Sequence, residues 1–312
     1  MHWKAKAVVQ NAISLLPRSA GDALYYRLQR DLGAFRALDR IEYFRFAAKV
    51  SALARARGRP IEGSTILEIG TGWDMAAPVA LRLAGALRVI TVDLNRHLRP
   101  ELLREVVRFL RDEPGRVREV FDETAPSGDF EHRRTEIVGL LDEHDPAAIP
   151  SGIEYRAPAD ASRLDLPDAS VDLHVSRSVL EHVPAQHITP ILAEARRVLR
   201  PSGLLIHCVD FSDHFSHGDS GITSAHFLRF DEPEWKRWGS NRFMFHNRLR
   251  VDDFPALFRE AGLDPLTLDP RIDDRARREL ANGHALDARF RDRSLDALAT
   301  VDAWFVAEKK WP

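Results

Sequence analysis

Hydrophobic positions along this chain fall into two periods, and their alternation predicts the architecture. Ile66-Leu67-Glu68-Ile69 is a short, mostly β-branched or aliphatic run that ends in two glycines, Gly70 and Gly72. A helix-compatible stretch from Met75 to Leu83 follows, with Pro78 near its start. That order predicts a buried parallel strand closing in a tight turn beneath a helix N-terminus. Arg88–Asp93 repeats the pattern with an aspartate at its end, and further apolar runs occupy 171–175 and Leu204–Val209. Helical spacing is expected around Glu101–Leu110, Thr135–Leu141 and Asp253–Ala261, and late strands near Pro265–Leu268 and Val301–Val306. Residues 1–58 read as helices with turns near Pro17 and Gly33. Val8, Val9, Ala12, Ile13, Leu15 and Leu16 recur at helical spacing there, as do Leu38, Ile41, Phe44, Ala48 and Leu53. Strands alternating with helices predict an α/β fold with a doubly wound, mostly parallel sheet.

Bulk properties narrow the function more than the fold. With 312 residues and 44% apolar content, the chain can bury one large core or two modest ones. A formal charge of −2 gives no global field for nucleic acid. The single cysteine, Cys208, excludes an internal disulfide and suits a reducing compartment. No run approaches the roughly 20 apolar residues of a membrane span. Gln10, Asn11 and Ser14 interrupt any apolar signal-peptide core after the basic start. The expectation is a soluble, cytoplasmic protein without integral membrane association.

The glycine turn carries the most chemistry. A backbone without Cβ admits a ligand to van der Waals contact with the main chain. A dinucleotide site would place a third small residue at position 75, but Met75 stands there, with Trp73 and Asp74 before it. Glu68 puts a carboxylate near the turn; an anion there repels a diphosphate and suits a ligand carrying an ammonium and a sulfonium. The charge argues for S-adenosylmethionine over a nicotinamide dinucleotide. Asp93, at the end of the second strand, can accept both ribose hydroxyls. Asp160 can accept from an adenine amino group while the backbone of Ala161 donates to the ring. The candidate cofactor set is Glu68, Gly70, Thr71, Gly72, Asp93, Leu94, Asp160, Ala161 and Ser176.

These segments, in this order, resemble class I S-adenosylmethionine-dependent methyltransferases of the small-molecule group. The resemblance rests on E-x-G-x-G at 68–72, the acid at 93 and the D-A pair at 160–161. It rests further on L-P-D-x-S-V-D-L at 166–173, V-L-E-H-V at 179–183 and R-V-L-R-P-S-G-L-L at 197–205. Asp74 departs from it, since many members have a small residue there. The resemblance implies a Rossmann-like, seven-stranded, mostly parallel sheet closed by an antiparallel pair. It also implies a catalytic domain over 59–312 behind an N-terminal helical extension at 1–58. Segments at about 95–150 and 212–248 exceed what a compact crossover needs, as the 67-residue separation of Asp93 from Asp160 shows. They are expected to act as lids at the substrate mouth.

Methyl transfer to a hydroxyl needs a positioned acceptor and a base with pKa near working pH. His182, His214 and His217 are the candidate catalytic residues. Trp235, Trp238, Phe243 and Phe245 are candidates for an acceptor wall, and Arg229, Arg248 and Arg250 for pairing an acceptor anion or for ordinary surface sites. Some methyltransferases hold magnesium with E-x-x-E-H plus a further histidine. Ser178 replaces the first glutamate here, so no metal is assigned, although Asp210, Asp213, His214, His217 and Asp219 offer ligands beside Glu181-His182. The expected activity is O- or N-methylation of a small or medium-sized acceptor, a sugar-containing metabolite or natural product; a homodimer is compatible with the sequence. A nicotinamide-dependent oxidoreductase and a non-catalytic methyltransferase-like subunit are the alternatives.

Overall fold

In the computed structural model, residues 2–31, 33, 39–121 and 127–309 are described; Leu38, assigned above to a helical stripe, lies outside them. The N-terminal third runs α1 (Trp3–Ser14), α2 (Arg18–Asp31), α3 (Ile41–Arg55), β1 (Thr65–Ile69), α4 (Ala76–Ala84), β2 (Arg88–Val92). It continues through α5 (Pro100–Asp112), α6 (Pro114–Phe121), α7 (Ser127–Val138), β3 (Ile153–Arg156), β4 (Val171–Arg177), α8 (Ala185–Val198) and β5 (Leu199–Asp210). The C-terminal part holds α9 (Glu232–Gly239), α10 (Phe254–Glu260), β6 (Leu263–Ile272), α11 (Asp274–Ala281), α12 (Leu295–Ala299) and β7 (Thr300–Lys309). The strands form one sheet in the order β3-β2-β1-β4-β5-β7-β6. β1 to β5 pair in parallel, and β7 lies antiparallel between β5 and β6. The late antiparallel pair is as expected, but α11 and α12 fill its connection, so it is no tight hairpin.

Strand alternation divides the core. Ile66, Val89, Leu173, Val175, Leu204 and Ile206 face α3 and α4 on one side. Leu67, Ile69, Ile90, Val92, Leu205 and Val209 face α8 and α10 on the other. The described residues of 95–150 are more helical than the sequence suggested. Val117, Phe121, Phe130, Ile137 and Leu140 join α3, α4 and α5 in the first core, because each helix presents an apolar stripe that must be buried. Among the segment's described residues, Asn95 and His97 line the crevice at the sheet's carboxyl edge.

A third cluster joins α1 to the 212–248 segment: Trp3 and Ala7 pack with Phe215, Phe227, Phe230 and Trp235. The buried face of α1 is therefore Trp3, Ala7, Gln10 and Ile13, whereas Val8, Val9, Leu15 and Leu16 are exposed. Spacing had identified a helix but chosen the wrong stripe, since one large indole outweighs several small aliphatics in area buried.

A polar chain crosses the second core. His174 Nδ1 lies 3.1 Å from His207 Nε2, and His207 Nδ1 is bonded to Ser176 Oγ, all three residues fully buried. Burial pushes His174 down to about 3 and His207 well below the ordinary histidine range. An unfolded histidine takes up its proton near pH 6.5, so below that pH the unfolded state binds more protons. Stability should therefore fall as pH drops from 6.5 towards 3. His174 alone should cost on the order of 2 kcal/mol by pH 5. Urea denaturation at pH 7 and pH 5 measures this; equal unfolding free energies would contradict neutral buried imidazoles.

Candidate active site

At the carboxyl edge of β1, Gly70 and Gly72 adopt φ of 89° and 70°, conformations that disfavour side chains. A Cβ on Gly70 would come 2.3 Å from Val179 Cγ2, so the turn is packed against the segment after β4. Gly70 N–H donates to the Val92 carbonyl at 2.8 Å, and Gly72 N–H donates to Asp93 Oδ2 at 3.2 Å. Asp93 Oδ1 accepts from Asn95 N–H at 2.9 Å. Each carboxylate oxygen thus retains a lone pair for a hydroxyl. Asp160 Oδ1 accepts from the Ser162 backbone and hydroxyl, at 2.8 and 2.7 Å, bonds that hold its pKa below the usual carboxylate range.

These groups surround a crevice of about 620 Å³. Gly70, Gly72, Asp93, Leu94, Asp160, Ala161 and His182 line it, together with Trp73, His97 and Val179, which the sequence reading did not place there. Trp73 stands between Tyr26 of α2 and His97, its ring centroid 5.5 and 5.0 Å from theirs. The N-terminal extension thereby helps to wall the crevice. Asp74 does not block it: the side chain is buried and accepts from Ala76 N–H at 3.1 Å.

Three expected cofactor residues are placed differently. Glu68 shares its side-chain face with Ile66 and is 1% exposed, bonded to the Thr91 hydroxyl. Burial, with Asp93 and Asp74 adding to it, pushes its carboxyl up to about 8, so near neutrality it is largely uncharged. Its carboxyl is turned into the core beside Thr91, and Glu68 is not among the residues lining the crevice at the glycine turn. Thr71 is buried with its hydroxyl 2.6 Å from Thr91 Oγ1, steadying the turn from behind. Ser176 is committed to His207, while Ser178, at φ 53°, lines the crevice instead.

The three expected histidines do converge. His182 and His214 meet edge to face at 5.0 Å, and His214 stacks on His217 at 5.1 Å. His246, 5.3 Å from His214 and fully buried, completes the cluster. His182 Nδ1–H donates to the Phe245 carbonyl at 2.7 Å, leaving Nε2 free. Desolvation by the surrounding rings and the neighbouring His214 depress His182 to about 4, although one side of its ring stays open to solvent. His217 bonds Ser212 Oγ at 2.8 Å. Asp210 Oδ2 lies 3.5 Å from His214 Nε2. Burial opposes ionisation of Asp210, yet the adjacent His214 and the bonds from Ser212 outweigh that and hold it well below the usual range. Asp213 is turned away, accepting from Phe215 N–H and pairing His226 at 3.1 Å.

Trp235, Arg248 and Arg250 serve the scaffold, whereas Arg229 is exposed. Trp235 is buried in the third cluster and donates to the His246 carbonyl at 3.2 Å. Arg248 and Arg250 are among the largest fully buried side chains and bond main-chain carbonyls, so neither is at the surface. A second cavity of about 740 Å³ opens instead between α3 and the edges of β4 to β7, lined by Arg45, Lys49, Arg177, Asp210, Asp302 and Trp304 among others. It shares Ser178 with the first crevice.

Residues 141–207 match a family profile described as a methyltransferase domain, a stretch that runs from the end of α7's following turn through most of β5. No curated protein matches the chain by sequence. Among solved structures, it is similar to an S-adenosylmethionine-dependent methyltransferase of Mesorhizobium loti at 16% identity, covering 83% of this chain and 97% of that one, with a TM-score of 0.45. It is similar to a methyltransferase of Methanosarcina mazei at 17% identity, 80% and 94% coverage and a TM-score of 0.43. A protein of Pyrococcus horikoshii OT3 shares 14% identity over 92% and 98% of the two chains, with a TM-score of 0.49. Residues 141–207 thus carry a methyltransferase-domain profile, and the sheet order with its antiparallel β7 and the glycine turn facing Asp93 give the chain a Rossmann-like methyltransferase fold. A methyltransferase domain implies S-adenosylmethionine as the cofactor rather than a nicotinamide dinucleotide.

Proposed function

We propose that the chain methylates an oxygen or nitrogen of a small or medium-sized polar acceptor, such as a sugar-containing metabolite or natural product, in the cytoplasm. The observation that carries this reading is the second cavity, which meets the cofactor crevice at Ser178. Its lining is polar: Lys49 pairs Asp269 at 3.0 Å, while Arg177 rests 4.7 Å over the Tyr43 ring with no carboxylate in bonding range among the described residues. Such a wall suits an acceptor rich in hydroxyls or bearing one anionic group.

In this reading Gly70 and Gly72 admit the cofactor's methionine end to the main chain, Asp93 holds the ribose hydroxyls, and Asp160 with Ala161 and Leu94 receives the adenine. The cofactor supplies an electrophilic methyl on sulfur. His182 faces the crevice with a free Nε2, and His214 and His217 stand behind it beside Asp210. Residues 59–312 form the catalytic domain, and the extension before it contributes Tyr26 and α3 to the walls of the two cavities.

Calorimetric titration with S-adenosylhomocysteine tests the cofactor half. Binding is expected in the parent, and Asp93→Ala should weaken it by about 1–3 kcal/mol through loss of charge-assisted hydrogen bonds. No heat at millimolar ligand in the parent would reject the assignment. His182→Ala and His214→Ala, assayed separately on a methylated acceptor, test the histidines; unchanged turnover in both would remove them from the chemistry.

A further inference from the structure

Glu181 stands out among the described residues: it is 1% exposed, and neither carboxyl oxygen has a hydrogen-bond partner among them. Buried polar atoms are paired in the great majority of cases, and an unpaired buried carboxylate is costly enough to stay protonated or to recruit a cation.

The surroundings of Glu181 select among cations. His182 spends Nδ1–H on the Phe245 carbonyl, which fixes the tautomer that leaves a lone pair on Nε2, 3.9 Å from Glu181 Oε1. That backbone bond is the orienting contact metal-binding histidines commonly have. His214 Nε2 is buried and has no hydrogen-bond partner among the described residues, with Asp210 Oδ2 3.5 Å away. One donor atom from each of Glu181, His182 and His214 falls within 4.8 Å of the others, near the span that an ion about 2.1 Å from each bridges. Two neighbours are not donors. His246 Nδ1 accepts from Arg248 N–H, so its proton sits on Nε2, and His217 Nε2 is engaged by Ser212 Oγ.

We propose that Glu181, His182 and His214 bind a divalent first-row transition-metal ion. Two imidazole nitrogens and one carboxylate match the manganese-to-zinc series, whereas magnesium and calcium prefer oxygen donors throughout. Ser178, which displaces the glutamate of the magnesium motif, is not one of the donors. The ion has a defined place: His182 lines the cofactor crevice, and Asp210, 3.5 Å from His214, lines the second cavity. An acceptor oxygen reaching it would stand between the two. With the ion bound, His182 and His214 act as ligands, and their lone pairs are no longer available to a proton. Ion binding itself does not depend on methyl transfer.

Chelator-stripped full-length protein titrated with Co²⁺ tests the site, because cobalt's visible absorption reports imidazole and carboxylate ligation without any turnover assay. One equivalent is expected to bind, with His182→Ala, His214→Ala and Glu181→Gln each weakening it by about 100-fold or more. The His182 side chain is 42% exposed, so His182→Ala should fold even where Glu181→Gln does not, and thermal unfolding checks each variant. A double His132→Ala/His144→Ala variant, lacking two exposed histidines, should bind cobalt as the parent does. Absence of cobalt absorption in the parent, or a spectrum undiminished in His182→Ala and His214→Ala, would overturn the inference. S-adenosylhomocysteine binding measured on the same stripped protein keeps that failure distinct from a failure of the methyltransferase reading.

Discussion

Gly70→Ala is expected to destroy cofactor binding and to lower the unfolding free energy by on the order of 2–6 kcal/mol. Two separate costs combine. At φ 89° any side chain strains the backbone, at about 1–3 kcal/mol. The new methyl also lands 2.3 Å from Val179 Cγ2, and relieving such an overlap in a packed interior costs a further 1–3 kcal/mol or so. Gly58 provides the control, because its φ is 67° but a Cβ there meets nothing within 4 Å. Gly58→Ala should therefore show the backbone cost alone and leave S-adenosylhomocysteine binding intact. Adding Val179→Ala to Gly70→Ala should restore part of the stability but not the binding, since the turn still carries a methyl at the ligand's edge. Urea denaturation and calorimetry on these variants measure both effects. Equal stability of Gly70→Ala and Gly58→Ala would show that contact with Val179 does not constrain the turn.

That turn was readable in the sequence because its information is local. Gly70, Gly72 and Asp93 sit at strand ends, where an apolar run, a glycine and an acid mark the carboxyl edge whatever packs around them. Asp160 and Ala161 were found through the order of segments rather than through spacing. Glu68 and Ser176 lie inside strands, where alternation decides which face a side chain takes, and closeness in sequence to the turn was a poor guide. Glu68 has the parity of Ile66 and Thr91 and so enters the core, and Ser176 has the parity of His174. His246 carried no signal at all. It reaches His182 only because the Phe245 carbonyl accepts from that ring across 63 residues. Arg248 and Arg250 looked like surface or ligand-binding groups, and only tertiary structure shows carbonyls converging on them.

Arg250→Met should destabilise the protein by on the order of 4 kcal/mol or more, and should loosen the histidine loop first. The Arg250 guanidinium is fully buried and donates to the carbonyls of Phe211, Ala297, Leu298 and Thr300 at 2.6 to 3.2 Å. It therefore fastens the chain leaving β5 to the entry of β7, and the loop so fastened continues into Ser212, Asp213 and His214. Methionine fills similar space but donates nothing, leaving those carbonyls without the donors that satisfy them, at about 1–3 kcal/mol for each one stranded. Lysine keeps a charge and three donors on one nitrogen, which cannot span the same fork, so Arg250→Lys should fall between methionine and the parent. The loss should appear as a lowered urea midpoint and as faster proteolysis within residues 211–217. Cobalt affinity should drop with it, because His214 is carried on the released loop while Glu181 and His182 are not. A methionine variant within 1 kcal/mol of the parent, with that loop still protected, would mean that other contacts hold the carboxyl edge together.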